Sequence, residues 1–154
     1  MSGTSMDGID VACLETDGRF AVRRKGFATT PYPVAFRKKL RAALGKKSAP
    51  GVEKTLTLLH ARAVKAALKK FRLRAGDIHA LGFHGHTLVH APHKHLTVQI
   101  GDGKLLAKLT GIPVVWDFRR DDVRAGGQGA PLVPVYHRAL ARKWPKPCAF
   151  INIG

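Results

Sequence analysis

Apolar and polar residues first alternate in a pattern that predicts a β-hairpin. Residues 9–15 (IDVACLE) have the alternation of a strand, and Asp17 and Gly18 form a turn signal directly after them. Residues 19–28 can return as the second strand. The hairpin is therefore expected almost at the beginning of the chain.

Two helices are predicted after the hairpin. Pro33 can begin a helix whose apolar residues are Phe36, Leu40 and Leu44, and the breaker segment GKKSAPG ends it. A longer helix follows, because apolar residues recur at helical spacing while cations form a separate stripe. The apolar positions are Val52, Leu56, Leu59, Ala63, Ala67 and Phe71, and the stripe is Arg62, Lys65, Lys69 and Arg72.

Short strands alternate with helices in the second half of the chain. IHALGF and LTVQI are predicted strands, GDGKLLAKLTG is a helix ended by Gly111, and IPVVWDF is a buried strand. A helix is expected from Pro131 to about Arg142, and CAFINIG is expected to be another buried strand. This alternation predicts an α/β protein with one mixed sheet, to which the hairpin supplies antiparallel strands.

Length and composition indicate a single globular domain. The chain has 154 residues and 45% hydrophobic residues, enough for a core of its own. It shows neither a signal-peptide pattern nor a run approaching the roughly 18 apolar residues of a membrane span, so a cytoplasmic protein without a membrane partner is expected. Cys13 and Cys148 lie far apart in apolar runs and are predicted to be buried free thiols.

The charge is strongly positive and concentrated in one segment. Lysine and arginine number 27 against 10 acids, and 17 of these cations lie between Arg19 and Arg74 with Glu53 as the one acid among them. Such a balance raises the question of a nucleic-acid partner. No aromatic residues interleave with the cations as base-stacking platforms would, so a solvated helix face is the favoured interpretation and a basic nucleic-acid-binding module is the alternative.

The segment GTSMDG could hold phosphate groups. Gly3 and Gly8 allow sharp turns, Thr4 and Ser5 offer donors to phosphate oxygens, and Asp7 supplies a hard oxygen for Mg²⁺. The segment lacks the lysine of a P-loop. A short polar loop between the two strands of a β-hairpin is how actin-like and sugar-kinase folds hold nucleotide phosphates, although an ordinary tight turn in a hairpin accounts for the same residues.

Five of the eight histidines crowd into residues 84–95. Imidazoles bind transition metals, so a histidine metal site is one hypothesis. The spacing is not a recognised ligand pattern, no acid or cysteine lies among the histidines, and APHKH has the character of an exposed turn. His84, directly after a strand, is the histidine expected to face a site.

A third polar segment follows the predicted strand IPVVWDF. Asp117, Arg119, Arg120, Asp121 and Asp122 come at the carboxyl end of that strand, where α/β sheets usually bind ligands. Arginine binds a carboxylate with two parallel hydrogen bonds, and the glycine-rich segment that follows offers free backbone N–H groups. The segment suits an anionic or polyol ligand, and a structural Asp–Arg network is the alternative.

These segments together resemble one family. MSGTSMDGID, GFHGHTLVH, LTVQIGD, TGIPVVWDFRRDDVRAGGQGAPLVP with YHRAL, and INIG are similar, in this order, to the motifs of the anhydro-N-acetylmuramic acid kinases. The resemblance spans nearly the whole chain. It implies a ribonuclease-H-like domain of the actin, Hsp70 and sugar-kinase superfamily, with ATP and Mg²⁺ as cofactors.

The resemblance also implies an activity. Such a kinase opens the 1,6-anhydro ring of 1,6-anhydro-N-acetylmuramic acid with water and phosphorylates O6, giving N-acetylmuramic acid 6-phosphate in peptidoglycan recycling. The small anhydro amino sugar is then the expected partner rather than nucleic acid, and the resemblance extends this expectation to a homodimer of the full-length protein.

Site residues carry over from the matching motifs. The ATP segment falls on Gly3, Thr4, Ser5, Met6, Asp7, Gly8, Ile9 and Asp10, with Asp7 as the carboxylate on the Mg²⁺ side. The residues implied for the sugar are His84, Gln99, Asp117, Arg119 and Gln128, and Asp102, Gly126, Gly127 and Gly129 belong to the same motifs. Arg119 is expected to hold the lactyl carboxylate, and His84 and Gln99 to bond sugar oxygens.

The chain also departs from the family pattern. Phe83 replaces a serine and His86 a glutamine, so an altered sugar contact is expected there. The family's catalytic aspartate belongs to a motif after Gly154, and no catalytic base is assigned within this chain. Residues 1–154 are expected to be the N-terminal domain of a two-domain kinase, truncated at both ends, with a basic helical insertion at about 33–74 and negligible turnover alone.

Overall fold

A β-hairpin opens the structure, as the alternation predicts. The computed structural model describes residues 1–3 and 5–151. Strands β1 (Gly8–Thr16) and β2 (Val22–Pro31) pair antiparallel, with a bulge between Cys13 and Leu14. Asp17 Oδ1 closes the turn by accepting the backbone N–H groups of Arg19, Phe20 and Ala21.

Two helices pack behind the hairpin and confirm the helical prediction. Helix α1 is Val34–Ala43, and helix α2 is Pro50–Phe71. Leu56 of α2 is fully buried, whereas the cationic stripe is exposed. A side chain at Gly26 of β2 would overlap the Phe71 ring, so this glycine lets the end of α2 lie close to the hairpin.

The rest of the chain consists of shorter elements. In chain order they are β3 (Leu81–Phe83), β4 (His86–Ala91), β5 (Leu96–Ile100), α3 (Gly103–Thr110), β6 (Val114–Trp116), α4 (Phe118–Arg124) and α5 (Pro134–Leu140). Strands β4 and β5 pair antiparallel, and β3 and β6 pair parallel. Strand β4, with its alternating burial, was not predicted.

The α/β class holds, but the strands do not form the single mixed sheet that was expected. In residues 1–3 and 5–151 they form three two-stranded sheets, β1–β2, β3–β6 and β4–β5. A cavity of about 670 Å³ lies between β1 and β3, lined by Cys13 and Leu81 among others. Ladder hydrogen bonds need strands about 4.8 Å apart, so this gap keeps the hairpin separate from β3.

The largest hydrophobic core joins the hairpin to both helices and to the β4–β5 pair. It contains Ile9 from β1, Leu40 from α1, Leu56 from α2 and Ile100 from β5. A second cluster forms around Phe83 and Leu106, between α2, β3 and α3. The polar ends of β3, β5 and β6 are therefore held in place from behind by apolar contacts.

Three predictions about buried segments are wrong. Strand β6 is largely exposed, with Val115 at 57%, because β3 and α3 contact it while no second layer of described residues covers its other side. Residues 148–151 form no strand, Ile151 is exposed, and Asn152–Gly154 of CAFINIG lie outside the described residues. Cys13 is half-buried and Cys148 is exposed. An apolar run becomes a buried strand only where a partner strand and a covering layer are available.

The last helix is shorter than predicted. Helix α5 begins at Pro134 rather than Pro131, and a 3₁₀ turn at Ala141–Lys143 follows it. Proline suits the first helical position, and this segment offers two such prolines, so the sequence pattern does not distinguish between them. Among the described residues, no helix has the length and apolar character needed to cross a membrane.

Candidate functional site

The N-terminal loop is held tightly on the hairpin. Met6 is buried at φ 54°, and the backbone N–H of Tyr32 donates to the Asp7 carbonyl at 3.0 Å. A side chain at Gly8 would overlap the backbone of Thr30, so only glycine allows this approach to β2. The loop conformation is therefore fixed by its own sequence and by the second strand.

Asp7 is the exposed carboxylate of this loop. Its Oδ1 accepts the Ser5 hydroxyl at 2.6 Å and the Gly8 N–H at 3.0 Å. The Ser5 hydrogen bond, followed by backbone hydrogen bonds, lowers the pKa of Asp7 below its usual value. Asp7 is thus ionised at neutral pH, and Oδ2 has no hydrogen-bond partner among the described residues.

The other residues predicted for ATP divide into two groups. Gly3, Ser5 and Asp10 are exposed with Asp7, whereas Met6, Gly8 and Ile9 are buried. Ile9 belongs to the hydrophobic core, so its side chain supports the loop from behind. Thr4 lies outside the described residues.

A buried hydrogen-bond chain connects this loop to strand β4. The Tyr32 hydroxyl donates to Ser2 Oγ at 2.8 Å, and Ser2 Oγ lies 3.0 Å from His86 Nδ1. All three side chains are at most 5% exposed. In neutral His86, Nδ1 donates to or accepts from the Ser2 hydroxyl according to the ring tautomer, while Ser2 Oγ accepts from Tyr32. Burial lowers the pKa of His86, which favours this neutral form.

A polar cavity opens at the ends of β3, β5 and β6. Its volume is about 330 Å³, at the lower end of the roughly 300–1,000 Å³ of small-molecule sites. The lining residues come from α2, α3, α4 and the ends of β3, β5 and β6. They are Glu53, Phe83, His84, Gly85, Gln99, Ile100, Gly101, Asp102, Lys104, Trp116, Asp117 and Arg120.

His84 lies at the end of β3, where its ring is fixed by two contacts. Arg119 Nε donates to His84 Nε2 at 2.8 Å, and His84 Nδ1 lies 3.1 Å from the Gly85 carbonyl, to which it donates. This pattern defines one neutral tautomer. Burial, followed by the Arg119 charge, lowers the pKa of His84.

Arg119 is engaged on both sides of its guanidinium. In addition to its contact with His84, Arg119 donates a hydrogen bond from Nη1 to the Gly129 carbonyl. Gly129 in turn donates its N–H to Asp122 Oδ2 at 2.6 Å. Arg119 therefore ties the glycine-rich loop after α4 to the end of β3, and it is not among the described residues that line the cavity.

Asp117 and Arg120 form the polar floor at the start of α4. Asp117 adopts φ 62°, and its Oδ1 lies 3.1 Å from Arg120 Nε, outside hydrogen-bond geometry. Burial raises the pKa of Asp117, and the Arg120 charge opposes that rise. No helix was predicted for the polar segment after β6. It forms helix α4 instead, because the left-handed turn at Asp117 lets a helix follow β6 directly.

Gln99 also reaches the cavity, on strand β5. Its Oε1 accepts the Thr87 hydroxyl at 2.7 Å, and its Nε2 donates to Thr97 Oγ1 at 2.8 Å. Each amide atom retains one further hydrogen-bonding position. Asp102 begins α3 by accepting the Leu105 N–H at 2.9 Å.

Gln128 does not join the other predicted sugar residues. It is exposed in the loop after α4 and does not line the cavity. Gly126 is exposed too, whereas Gly127 lies against the Asp122 carboxylate, where a side chain would overlap it. His84, Gln99 and Asp117 thus meet at one cavity, while Arg119 supports its wall from outside.

The two departures from the family pattern have different positions. Phe83 is buried and lines the cavity, so its expected effect on a ligand contact remains a prediction. His86 is not a lining residue, because it faces Ser2. The altered sugar contact expected at His86 stays a prediction.

The histidine metal hypothesis receives no support from residues 1–3 and 5–151. No three His, Cys, Asp or Glu side chains there converge as metal ligands. His84, His86 and His90 are instead occupied separately, by Arg119, Ser2 and Thr97. His93, Lys94 and His95 of the predicted turn are exposed.

Several site residues were missed by sequence reasoning. Glu53 of α2 accepts the Gly101 N–H at 2.9 Å and reaches the cavity from the basic segment. Its position as the one acid among 17 cations was an available signal. Lys104 and Trp116 gave no comparable signal, since their neighbours alone do not indicate a shared cavity.

Fold and site together define an α/β protein with a tight N-terminal loop that is hydrogen-bonded to strand β4, next to the strand β5 that lines a polar, ligand-sized cavity. Comparison with known proteins then identifies its family. The family model for anhydro-N-acetylmuramic acid kinase matches residues 1–154. The chain belongs to this family.

Curated relatives agree with the family match. Among them are the anhydro-N-acetylmuramic acid kinases of Rhizobium etli (49% identical over 168 residues), Brucella canis (50% over 169) and Paramagnetospirillum magneticum (53% over 155). Each alignment covers 100% of this chain and 44–45% of the relative. The chain therefore spans less than half the length of these relatives. The nucleic-acid alternative finds no support among them.

Proposed function

We propose that this chain supplies the nucleotide loop and sugar cavity of a kinase for 1,6-anhydro-N-acetylmuramic acid. In this reaction water opens the 1,6-anhydro ring and ATP phosphorylates O6. The observation that carries the proposal is the buried Ser2–His86 contact, 3.0 Å long, which joins the loop to strand β4 at the residue that pairs with cavity-lining Ile100 of β5. A phosphoryl donor and an acceptor must be held close together, and this contact couples their predicted sites.

The loop suits the phosphates of ATP. It is fixed on the hairpin, it carries exposed glycine and serine, and it lacks cationic side chains of its own. Phosphate binding would therefore rely on backbone N–H groups and on Mg²⁺. Asp7 fits the metal, because Mg²⁺ prefers one or two carboxylates together with phosphate oxygens and water. When bound, Mg²⁺ would neutralise phosphate charge.

The cavity suits a polar sugar. Gln99 has an unused donor and acceptor, and Asp117 can accept from a hydroxyl. Trp116, 37% exposed, offers an apolar face at the same cavity. Amide, carboxylate and aromatic groups around one cavity are the chemistry that a small polyol ligand requires.

The wider organisation belongs to the same proposal. Residues 1–154 act as the N-terminal domain of a two-domain kinase with a ribonuclease-H-like core and a basic helical insertion at about 33–74. A homodimer of the full-length protein and a cytoplasmic location remain predictions. The 154-residue chain alone is expected to bind both ligands weakly and to phosphorylate the sugar negligibly.

Nuclear magnetic resonance titration of the 154-residue chain tests the proposal. ATP with Mg²⁺ should shift the amide signals of Ser5, Asp7 and Gly8, and the anhydro sugar should shift those of Gln99 and Asp117. Asp7→Asn should weaken binding of ATP with Mg²⁺ more than binding of ATP alone. Asp121→Asn, an exposed position on α4, is the matched control. If neither ligand perturbs these signals at millimolar concentration, the proposal fails.

A further inference from the structure

Two adjacent arginines at the start of α4 have different environments. Family resemblance assigns the lactyl carboxylate to Arg119. Its Nε and Nη1 already donate hydrogen bonds to His84 and to the Gly129 carbonyl. Arg119 is also not among the described residues that line the cavity. Redirecting Arg119 to a ligand would leave His84 Nε2 without its donor in a half-buried place, which is costly.

Arg120 has the opposite arrangement. It lines the cavity, and only its Nε lies close to a carboxylate, that of Asp117 at 3.1 Å. Its two terminal nitrogens form no hydrogen bond with the residues that the structure describes. A guanidinium that is ion-paired near Nε and whose terminal nitrogens are unengaged has its outer edge available for two parallel hydrogen bonds to an incoming carboxylate.

An ordinary surface ion pair is the alternative explanation for Arg120. Helix α4 contains such a pair three residues apart, Arg124 with Asp121, whose side chains are 67% and 76% exposed. The Arg120 and Asp117 side chains are 41% and 27% exposed, and the two facing atoms are buried. Arg120 therefore differs from Arg124 in burial and in its position at the cavity.

The cavity lining contains three carboxylates, Glu53, Asp102 and Asp117, and two cations, Lys104 and Arg120. Glu53 and Asp102 lie in the lining, but each already accepts a backbone N–H group, from Gly101 and Leu105 respectively. Lys104 of α3 is a second lining cation and forms no ion pair among the described residues. Asp117 faces Arg120 Nε, so Lys104 and the outer edge of Arg120 are the cationic groups of the lining that a ligand carboxylate can reach.

We propose that Arg120, assisted by Lys104, binds the carboxylate of the sugar ligand, and that Arg119 is a positioning residue for His84. This assignment rests on the proposed function. It makes Arg120 the residue that distinguishes an anionic anhydro amino sugar from its uncharged counterpart.

Two ligands and three variants test the assignment in the 154-residue chain. The ligands are 1,6-anhydro-N-acetylmuramic acid and 1,6-anhydro-N-acetylglucosamine, which lacks the lactyl carboxylate. Dissociation constants are measured by nuclear magnetic resonance titration for the unmodified chain and for Arg120→Gln, Lys104→Gln and Arg124→Gln. Arg124→Gln is the matched control on the same helix.

The unmodified chain should prefer the carboxylate-bearing sugar. Arg120→Gln should raise the dissociation constant of that sugar by about tenfold or more, because a charge-assisted hydrogen bond is lost. The dissociation constant of the uncharged sugar should change by no more than about twofold. Lys104→Gln should have a smaller effect of the same kind, and Arg124→Gln should have none.

Other results overturn the assignment in distinguishable ways. If Arg120→Gln still prefers the carboxylate-bearing sugar, or if it loses affinity for both sugars equally, the role of Arg120 is contradicted. Either result leaves the proposed function intact. Binding of neither sugar to the unmodified chain refutes the proposed function and this assignment together. Arg119→Gln provides a further readout, since a positioning role predicts weaker binding of both sugars and a changed His84 ring tautomer.

Discussion

Arg119 holds His84 in a single neutral tautomer. Its Nε donates to His84 Nε2 at 2.8 Å, while His84 Nδ1 donates to the Gly85 carbonyl at 3.1 Å. The first contact joins the end of strand β3 to helix α4 across 35 residues of sequence. The two residues that resemblance assigned separately to a ligand are therefore partners of each other.

Removing Arg119 should change the titration of His84. Arg119→Met deletes the nearby positive charge, so the pKa of His84 should rise and its Nε2 should become free to protonate. Nuclear magnetic resonance signals of the imidazole nitrogens, followed from pH 8 to pH 4, measure both effects. Arg124→Met is the control, and an unchanged His84 titration in Arg119→Met would contradict the pairing.

Stability should fall on acidification because of buried His60. Its Nδ1 lies 2.9 Å from the Leu56 carbonyl, and burial lowers its pKa to about 4. Because the unfolded chain has the ordinary pKa of about 6.5, it binds the proton more readily, and stability present above that pH is lost as the pH falls towards 4. The loss attributable to His60 is about 3 kcal/mol, since each tenfold difference in proton affinity corresponds to about 1.36 kcal/mol.

Urea unfolding at a series of pH values measures this dependence. His60→Leu should flatten the curve between pH 6.5 and 4, and exposed His79→Leu should leave it unchanged. Some slope should remain, since burial also lowers the pKa values of His84 and His86. An unaltered slope in His60→Leu would show that another group dominates.

The Tyr32 hydroxyl should stabilise the N-terminal loop. Tyr32→Phe removes its hydrogen bond to buried Ser2 and should lower the free energy of unfolding by about 1–2 kcal/mol. Amide hydrogen exchange of Ser5–Asp7 should accelerate at the same time, because the Ser2 anchor is weakened. Tyr136→Phe is the matched control, as its hydroxyl has no hydrogen bond in the described part of the chain. Equal effects of the two variants would refute the anchor.

Glycine is required at position 85. Gly85 has φ 66°, and a side chain there would overlap the backbone oxygen of Ile100 in β5. Gly85→Ala should therefore cost at least about 3 kcal/mol, from left-handed strain together with the overlap. Gly126 has φ 87° but open space around it, so Gly126→Ala should cost only about 1–2 kcal/mol. Thermal unfolding measures the stability of both variants. Similar losses of stability would show that left-handed backbone strain, and not the overlap with Ile100, determines the cost.

Local patterns in the sequence were sufficient to predict the hairpin and the long helix. Alternation and the Asp17-Gly18 turn predicted β1 and β2, and the spacing of Leu56, Ala63 and Ala67 predicted α2. These elements are specified by neighbours along the chain, through turn hydrogen bonds and helical periodicity. His84 at a strand end and the Asp7 loop were recognisable for the same reason.

Only the tertiary structure decided how strands and charges meet. The gap between β1 and β3, the exposure of β6 and the loss of the predicted strand at 148–151 depend on which elements pack together. Arg119 and Arg120 are chemically identical neighbours, yet one supports His84 and the other lines the cavity. Successive helical residues point about 100° apart, so what each reaches is fixed by segments distant in sequence, which a local pattern does not specify.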